Sequence, residues 1–501
     1  MAVKTAERDN PFKGTGLLVL LTVSLLAVRF YAARIIGWGD SEALYACYAL
    51  HPQAAYLDHP GLVEMFASSI GSGTAPSPEV GHMATAMLST AFPWLLFVVA
   101  RRLGAETWAS AAVALVVAAT PEIAVGLFAM TPDLLLAYLW LGFLGTAALA
   151  FDAEPRSLRA AVLFSIAGVC AGVAALAKAT GLLLLPVLAV TVALDPKHRR
   201  TAWPWLALVM SLLPVAGVTR FEIAHHFAML RHRFVDTQAQ AGVSLRNLGA
   251  LVGGQLVYLS PIVAVLVVLV ARELWRQRNA DSQSRLFFWS FALPLVPLVA
   301  LGLWSRVAEP HWLAPPLLAL PVFAAKRGLA YSRKLVVPAV ALAAALSAAV
   351  YAWVLEPSLL RYAPKSYDPK VDISNELFGW PQATRAASTM LENAQVGAGV
   401  KLDAWLVGPS WMVCAQLAAG LPEAKVGCMT DTPSDFDDWA PRREWQHADV
   451  IVFVTDDRMP LDADALFGTL HTELSSRVTI LRGGRIARTF RLTLLEKRVG
   501  A

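Results

Sequence analysis

Apolar segments long enough to cross a bilayer limit how this chain can fold more than any other feature of the sequence. A transmembrane helix needs about 20 mostly apolar residues, and backbone in lipid has to satisfy its own hydrogen bonds. The chain therefore predicts a polytopic α-helical membrane protein with about eleven transmembrane helices, the two shortest of which could be tilted or re-entrant. The segments lie near residues 15–36, 82–100, 108–129, 132–150, 160–179, 181–194, 203–219, 250–271, 286–304, 312–325 and 334–355.

The composition agrees with a membrane protein and excludes most other classes. Apolar residues make up 56% of the 501 residues and charged ones only 16%, whereas soluble domains have about 45–50% apolar residues. A net charge of +5 is explained by basic cytoplasmic loops, so no nucleic-acid partner is expected. The first apolar segment has no persuasive cleavage site, and we expect it to be a retained span rather than a signal peptide.

Basic residues alternate between the two sides of the predicted spans. Clusters such as Arg101–Arg102, Lys197–Arg200 and Lys326–Arg327 all fall on one side, which the positive-inside rule makes cytoplasmic. With an odd number of spans, the chain after Pro357 lies on the opposite, outer side. The stretch "GDSEALYACYALHPQAAYLDHPGL" at residues 39–62, which contains no Lys or Arg, lies on that outer side too.

From about residue 357 the sequence becomes more polar, with Pro, Asp, Glu and Lys returning. We therefore expect a membrane domain of residues 1–356, with an outer loop at 37–80, followed by a soluble α/β domain of residues 357–501. "ADVIVFVTDD" is typical of a buried strand, "WMVCAQLAAGL" of a helix, and "RVTILRGGRIARTFRLTLL" of two strands joined at Gly483 and Gly484. Cys414 and Cys428 would form a disulfide in an oxidising compartment, or remain two free thiols.

Two acids in the outer loop are candidates for a general base. Asp40 and Glu42 follow the first span directly, where an ionised carboxylate meets water close to the bilayer surface and can act on a substrate carried by a lipid. The alternative is an interfacial helix capped by Asp40 or Ser41, with Leu44, Tyr45 and Tyr48 resting among the lipid headgroups.

Three further sets of polar residues in outer segments could serve either the local structure or the function of the protein. Asp58 and His59 precede Pro60, as in a helix N-terminus, but an imidazole beside a carboxylate also suits substrate hydrogen bonding or proton transfer. Asp133, in "MTPDLLLAYLW", lies at the start of a span, where helix capping is the simpler explanation. His225, His226 and His232 match no familiar metal-ligand spacing.

Several outer cations run against the positive-inside pattern. Lys178 ends one span, Arg220 ends another, and Arg306 lies in "WSRVAEPHW". Isolated cations of this kind can extend to lipid headgroups. Several of them near one membrane face could instead bind a phosphate through charge-assisted hydrogen bonds.

Six motifs occur in a characteristic order: "GDSEALY", "YLDHPGL", "MTPDLLLAYLW", "LAKATGLLLLP", "GGQLVYLSP" and "EPHWLAPP". Together they resemble the bacterial GT-C glycosyltransferases of the protein O-mannosyltransferase-like superfamily, in the group near rhizobial lipopolysaccharide galacturonosyltransferases and aminoarabinose transferase. The resemblance covers roughly residues 15–330 and extends weakly to "WMVCAQLAAGLP". Each motif is unspecific by itself, so the resemblance depends on their order and topology.

The resemblance implies a multi-pass enzyme of the bacterial inner membrane with a periplasmic C-terminal domain. Such an enzyme transfers a sugar from a polyprenyl-phosphate donor to an acceptor hydroxyl, usually with inversion. The acceptor would be lipid A, another glycolipid, a glycan or a protein. No cofactor is required, although a divalent metal could replace part of the cationic charge. The rival interpretations are a transporter or flippase of lipid-linked glycans and a non-catalytic glycolipid-binding scaffold.

The resemblance also implies roles for individual residues. The family's acidic pair corresponds to Asp40 and Glu42, separated here by Ser41, with Asp40 favoured as the base. The family's "DHPPL" is "DHPGL" here, which keeps Asp58 and His59. Lys178 matches a family lysine and is the first candidate for the donor phosphate, ahead of Arg306 and Arg220, and "EPHW" adds Glu309 and His311 to the expected substrate cavity.

Overall fold

The chain forms two units, each built from segments that are not contiguous in sequence. The computed structural model describes residues 11–238, 241–305, 309–328, 333–398, 402–430, 432–461 and 470–497. One unit, here the membrane unit, consists of Met1–Phe30, Asp58–Leu62 and Thr85–Val350. The other, here the sheet unit, consists of Tyr31–Leu57, Val63–Ala84 and Tyr351–Ala501, so much of the first predicted outer loop groups with the C-terminal residues.

The described ranges are mainly helical. The α-helices are α1 Pro11–Ala33, α2 Asp40–Tyr48, α3 Leu62–Ile70, α4 Pro78–Arg102, α5 Thr107–Ala119, α6 Pro121–Ala124, α7 Pro132–Asp152, α8 Leu158–Ala177, α9 Leu184–Ala193, α10 Trp203–Ala224, α11 Ala228–Phe234, α12 Leu245–Gly253, α13 Gln255–Tyr258, α14 Pro261–Gln277, α15 Ser282–Trp304, α16 Ala314–Leu317, α17 Ala319–Lys326, α18 Arg333–Leu355, α19 Trp380–Ala398, α20 Trp411–Gly420, α21 Phe436–Trp439 and α22 Arg442–Trp445.

All eleven apolar segments are helical over most of their length, which confirms a multi-pass helical membrane protein. Within the described ranges, seven helices are long and apolar enough to span a bilayer, and nine if each of two bent helix pairs counts as one span. The segments predicted at 181–194 and 312–325 form the short helices α9 and α16–α17. The exact number of spans, about eleven, stays a prediction.

Large apolar side chains form the core of the membrane unit. Trp140 and Phe143 on α7, Phe164 on α8, Phe287 on α15 and Phe323 on α17 are completely buried in one cluster. Because lipid tails are as apolar as these side chains, the cluster stabilises the bundle through close packing rather than through the removal of water.

Two glycines bring α8 and α10 into close contact. A Cβ atom at Gly168 would collide with the backbone carbonyl of Ala207, and one at Gly172 with the carbonyl of Ser211. Small residues four positions apart let two membrane helices approach backbone to backbone, where van der Waals contact and packing replace the hydrophobic effect as the source of stability.

One buried arginine compensates a break between helices. The α5–α6 segment bends by 71°, and the short helix α6 leaves carbonyl groups without helical partners. Arg29 on α1, with no exposed surface, donates from Nη2 to the carbonyls of Ile123 (2.7 Å) and Ala124 (2.9 Å) and from Nη1 to Thr90 Oγ1 (2.6 Å). The guanidinium thus satisfies carbonyls that lipid could not.

A five-stranded mixed sheet forms the core of the sheet unit, in the order β2-β1-β3-β5-β4. The strands are β1 Ala404–Gly408, β2 Val426–Cys428, β3 Val450–Asp456, β4 Leu470–Arg482 and β5 Arg485–Lys497. β1 pairs in parallel with β2 and β3, while β5 is antiparallel to β3 and β4. Register pairs include Leu406 with Val426 and with Val452, and Val452 with Leu494. The predicted C-terminal α/β fold is confirmed.

The predicted strand and hairpin follow directly from local sequence. Every residue of β3 is buried, as expected for an apolar run flanked by strands on both sides. β4 and β5 are joined by Gly483 and Gly484, whose φ angles are +55° and +79°. Positive φ at both central residues is what the tightest hairpin turns require, and glycine adopts it without strain.

Aromatic side chains pack the 31–57 segment within the sheet unit. Tyr48 and Tyr56 stack with ring centroids 3.6 Å apart, and His51 stacks on Trp439 at 4.4 Å. Tyr45 and Tyr48 are buried, unlike in the alternative interpretation, an interfacial helix with these rings among lipid headgroups. These contacts pack the segment that contains α2 and so fix the position of the helix within the sheet unit.

The two cysteines of the C-terminal domain form the disulfide that the sequence left open. Cys414 on α20 and Cys428 at the end of β2 are bonded, with Cα atoms 5.7 Å apart. Cys47 and Cys170 are free thiols. The disulfide closes a short loop and ties α20 to the edge of the sheet.

Replacing Cys414 by Ser should destabilise the sheet unit by about 3 kcal/mol, since the entropy of closing a loop of this length sets that scale. Thermal unfolding of the purified protein should show a lower Tm, and a reductant should lower the wild-type Tm in the same way. Cys170→Ser, which removes a free thiol, is the matched control and should keep both the wild-type Tm and its fall with reductant, whereas Cys414→Ser should not respond to reductant. Labelling of four thiols in the unfolded, unreduced chain would contradict the disulfide.

Candidate active site

The ten residues singled out by the sequence fall into the two units. Asp40 and Glu42 lie in the sheet unit, and the other eight positions belong to the membrane unit. Arg306 lies outside the described residues. Six of the others occupy one polar cluster, whereas Arg220 is exposed on α10 with no ion pair among the described residues.

Glu42 stabilises the start of α2. The residue before the helix, Gly39, has extended backbone angles (φ −66°, ψ 161°), and its N–H donates to Glu42 Oε2 at 2.9 Å. The other oxygen, Oε1, lies 3.0 Å from Nε2 of the buried His82. A glutamate at the third helical position that reaches back to the N-cap is one half of a capping box. Both oxygens of Glu42 thus serve the local structure.

Asp40, the first residue of α2, is held by two side chains from the C-terminal part of the sheet unit. Its Oδ2 accepts a hydrogen bond from Arg458 Nη2 at 3.0 Å, and its Oδ1 lies 3.5 Å from Gln416 Nε2. Asp40 is only 5% exposed, so the guanidinium compensates a carboxylate that has little water around it. The N-terminus of α2 also favours the negative charge.

Arg458 is itself fixed by acids around it. Nη1 donates to Glu376 Oε1 at 2.8 Å, and Nε lies 3.5 Å from Asp456 Oδ2. Asp456 also accepts from Arg488, whose guanidinium lies 4.4 Å from the ring centroid of Trp380. We call these residues, Asp40, Glu376, Gln416, Asp456, Arg458 and Arg488, the Asp40 cluster.

The charges in the Asp40 cluster influence one another's ionisation. Burial raises the pKa of Glu376, and the nearby Asp40 carboxylate raises it further. Burial opposes ionisation of Arg458, but Asp40 and two other carboxylates raise the pKa of the guanidinium above its ordinary value. Arg458 therefore remains a cation at every physiological pH.

Sequence reasoning missed all members of the Asp40 cluster except Asp40. A usable signal was present in "VTDDRMP", where acids and an arginine follow a buried strand. Side chains at the carboxyl ends of parallel strands often line sites in α/β folds. β3 is parallel to β1, and its end carries Asp456 and Arg458.

A second cluster lies in the membrane unit, where two helix ends meet. Lys178 follows α8 with an extended backbone (φ −154°, ψ 141°), and Asp133 is in the first turn of α7. Lys178 Nζ donates to both carboxylate oxygens of Asp133, at 2.9 and 3.0 Å. The pair explains Asp133 better than helix capping, because the N-cap residue of α7 is Thr131 and both carboxylate oxygens of Asp133 bind Lys178.

Two histidines adjoin this pair. His311 Nε2 lies 3.5 Å from Lys178 Nζ, and His311 Nδ1 lies 3.2 Å from Glu309 Oε2. Burial and the Lys178 ammonium together lower the pKa of His59 well below its ordinary value, and they lower that of His311 too. Both imidazoles are therefore neutral at neutral pH, when each can donate one hydrogen bond and accept another.

Asp58 completes the second cluster. Its Oδ1 lies 3.4 Å from Arg233 Nη1 and 3.8 Å from His232 Nε2. The Arg233 side chain is 38% exposed, against 9% for Lys178, so Arg233 is the cation of the cluster with the most room to meet a ligand. We call these residues, Asp58, His59, Asp133, Lys178, His232, Arg233, Glu309 and His311, the Lys178 cluster.

The Lys178 cluster is a polar site with mixed charge. Its ammonium and guanidinium groups suit a phosphate, while its carboxylates and neutral imidazoles suit hydroxyl groups. Within the described ranges, no group of three or more His, Cys, Asp or Glu side chains is arranged to hold a metal ion.

Comparisons with known proteins agree with this architecture. The family described as dolichyl-phosphate-mannose-protein mannosyltransferase matches residues 75–220. No curated protein matches the sequence. ArnT from Cupriavidus metallidurans is similar in structure in its apo state (TM-score 0.62, 17% identity, 95% of this chain and 98% of that chain) and bound to undecaprenyl phosphate (TM-score 0.61, 16% identity, the same coverage).

The likeness extends to a second solved protein at lower sequence identity. The Archaeoglobus fulgidus oligosaccharyltransferase, tethered to an acceptor peptide that contains the NVT sequon, matches with a TM-score of 0.54 and 11% identity, over 88% of this chain and 69% of that chain. Identities this low establish the fold and not the substrate. Matches over nearly the whole length of this chain show that it shares the fold of these proteins.

Proposed function

We propose that the protein is a membrane glycosyltransferase that moves a sugar from a polyprenyl-phosphate donor to an acceptor hydroxyl, with inversion at the anomeric carbon. The single observation that carries the proposal is the buried Asp40 carboxylate, which is ion-paired with Arg458 and lies at the start of a helix. A transporter has no need of such a group in a packed loop, whereas a transferase needs a base. The GT-C fold and the undecaprenyl phosphate bound to ArnT support the donor class.

In the proposed reaction, Asp40 accepts the proton of the acceptor hydroxyl as the oxygen attacks the anomeric carbon. The bond between that carbon and the phosphate oxygen breaks, and polyprenyl phosphate leaves with the bonding electrons. Asp40 is assigned the base in preference to Glu42 because Glu42 caps its own helix through the Gly39 N–H, whereas Asp40 is held in one orientation by side chains from the C-terminal domain. A base of this kind contributes about 10²–10⁴-fold to a rate.

The Lys178 cluster is proposed to bind the donor phosphate. Lys178 and Arg233 supply positive charge that would stabilise the departing phosphate, and His59 supplies a neutral hydrogen-bonding group. Lys178 is buried and engaged by Asp133, whereas Arg233, although it lies 3.4 Å from Asp58, is 38% exposed and has more room to turn toward a ligand. The acceptor is a glycolipid, such as lipid A, a glycan or a protein.

The proposed location is the bacterial inner membrane, with the chemistry on the periplasmic side. The Cys414–Cys428 disulfide supports this placement of the C-terminal domain, because disulfides persist in oxidising compartments. The absence of Lys and Arg from residues 39–62 supports it as well.

Asp40→Asn should lower the transfer rate by about 10²-fold or more, since the amide keeps the shape but cannot take a proton. The measurement is release of polyprenyl phosphate from a polyprenyl-phosphate sugar by the purified protein in the presence of acceptor. Glu42→Gln should lower Tm through the weakened cap and reduce the rate far less. Glu79→Gln, at an exposed ion pair with Arg34, is the matched control. Full activity of Asp40→Asn would rule out the assigned base.

Arg233→Gln should lower kcat/KM for the donor about 10- to 100-fold, since a charge-assisted hydrogen bond to phosphate contributes about 1.5–3 kcal/mol. Because Lys178→Gln alone would leave Asp133 unpaired, the double variant Lys178→Gln/Asp133→Asn is the better test of that site, and it should weaken donor use similarly. Arg477→Gln, at an exposed arginine of β4, is the control. Unchanged donor kinetics in both cluster variants would contradict a phosphate site there.

The neutral state of His59 predicts how stability varies with pH. Its folded pKa is lowered, so below about pH 6.5 the unfolded chain binds a proton that the folded protein does not. Stability is therefore present above pH 6.5 and decreases as the pH falls toward the folded pKa. His59→Gln should flatten this decline in Tm, whereas the exposed His447→Gln should not. An equally steep decline in His59→Gln would argue for a protonated imidazole.

A further inference from the structure

The partners of Asp40 come from a distant part of the chain. Gln416 is separated from Asp40 by 376 positions and Arg458 by 418. Gln416 lies on α20 and also donates to the Trp38 carbonyl at 2.8 Å, while Arg458 follows β3. Two elements of the C-terminal domain thus hold the two oxygens of one carboxylate.

The hydrogen bonds leave Asp40 able to accept a proton. An ionised carboxylate offers about four acceptor positions, and Arg458 and Gln416 use one on each oxygen. A carboxylate held in this way keeps one orientation and retains free lone pairs. Such preorganisation is what a general base needs, because its oxygen must already face the proton that it removes.

The support for Arg458 continues into the sheet. Asp456 accepts from the backbone N–H of Arg458 at 3.1 Å as well as approaching its guanidinium. Asp456 is held in turn by Arg488, which packs against the rings of Trp380 and Phe490, at 4.4 and 4.8 Å from their centroids. Arg488 is almost fully buried. The position of Arg458 is therefore set by the sheet and not by solvent.

The charges around Asp40 make Arg458 hard to replace. Three carboxylates, those of Asp40, Glu376 and Asp456, share two guanidinium groups, those of Arg458 and Arg488. Glu42 and His82 form a separate pair near the start of α2. Without Arg458, Asp40 would lose its own cation and face two other acids, and both changes favour its protonated form.

We propose that Arg458 is a positioning residue for Asp40: it orients the carboxylate and supplies the positive charge beside it, so that the C-terminal sheet domain forms part of the catalytic apparatus. Gln416 assists by holding the second oxygen. This inference rests on the proposed function, since it assumes that Asp40 acts as the base. It assigns the C-terminal domain a task beyond packing.

The test is the pH dependence of kcat, measured with the full-length wild type, Arg458→Gln and Arg458→Lys under saturating donor. Loss of the guanidinium should move the acidic limb of the profile to higher pH by about one unit or more and lower kcat at neutral pH, with donor KM unchanged. Arg458→Lys restores the positive charge and should recover much of the shift. Arg477→Gln, at an exposed arginine of β4, is the control and should leave the profile in place.

A purely structural role would lower kcat by the same factor at every pH, and that result would overturn the proposal. A thermal-unfolding cycle of Asp40→Asn, Arg458→Gln and the double variant needs no enzyme activity. Tm losses smaller in the double variant than the sum of the single ones support the pairing, and additive losses overturn it. Non-additive losses in a protein that transfers no sugar would reject the proposed function while retaining the pairing.

Discussion

Buried charge has to be compensated, and most polar features of this structure follow from that constraint. An ionised group removed from water is costly unless an opposite charge or hydrogen bonds replace the solvent. Asp40 is buried beside Arg458 in the sheet unit, and Asp133 is engaged by Lys178 in the membrane unit. In both cases the partner comes from a different secondary-structure element, so the ion pairs also fix how those elements pack.

The same constraint separates the two acids of α2, although they are two residues apart. Glu42 satisfies a backbone N–H and lies against His82, so its charge is used within the local helix start. Asp40 is compensated by side chains from far along the chain. Glu42 thus stabilises the start of its own helix, whereas the position of Asp40 depends on the tertiary fold of the C-terminal domain.

Periodicity and turn chemistry predicted the parts of the fold that depend on neighbouring residues. The apolar segments, the buried strand β3 and the Gly483–Gly484 turn all follow from short-range rules, and each was found. The Lys178–Asp133 pair was harder: both residues were candidates, but 45 positions separate them, and no pattern along the sequence says that they meet. Arg458 was missed altogether because "VTDDRMP" also fits an ordinary polar turn after a strand.

The pairing of Asp40 with Arg458 has a consequence for how the protein is made. The ends of this contact are 418 positions apart, and contacts between residues so distant in sequence form late, after the local helices. During synthesis from the N-terminus, Asp40 emerges long before the strand that carries its partner. A chain halted before β3 would therefore hold an acid with no guanidinium beside it. Asp40 therefore gains its Arg458 partner only after the C-terminal domain has been synthesised and has folded.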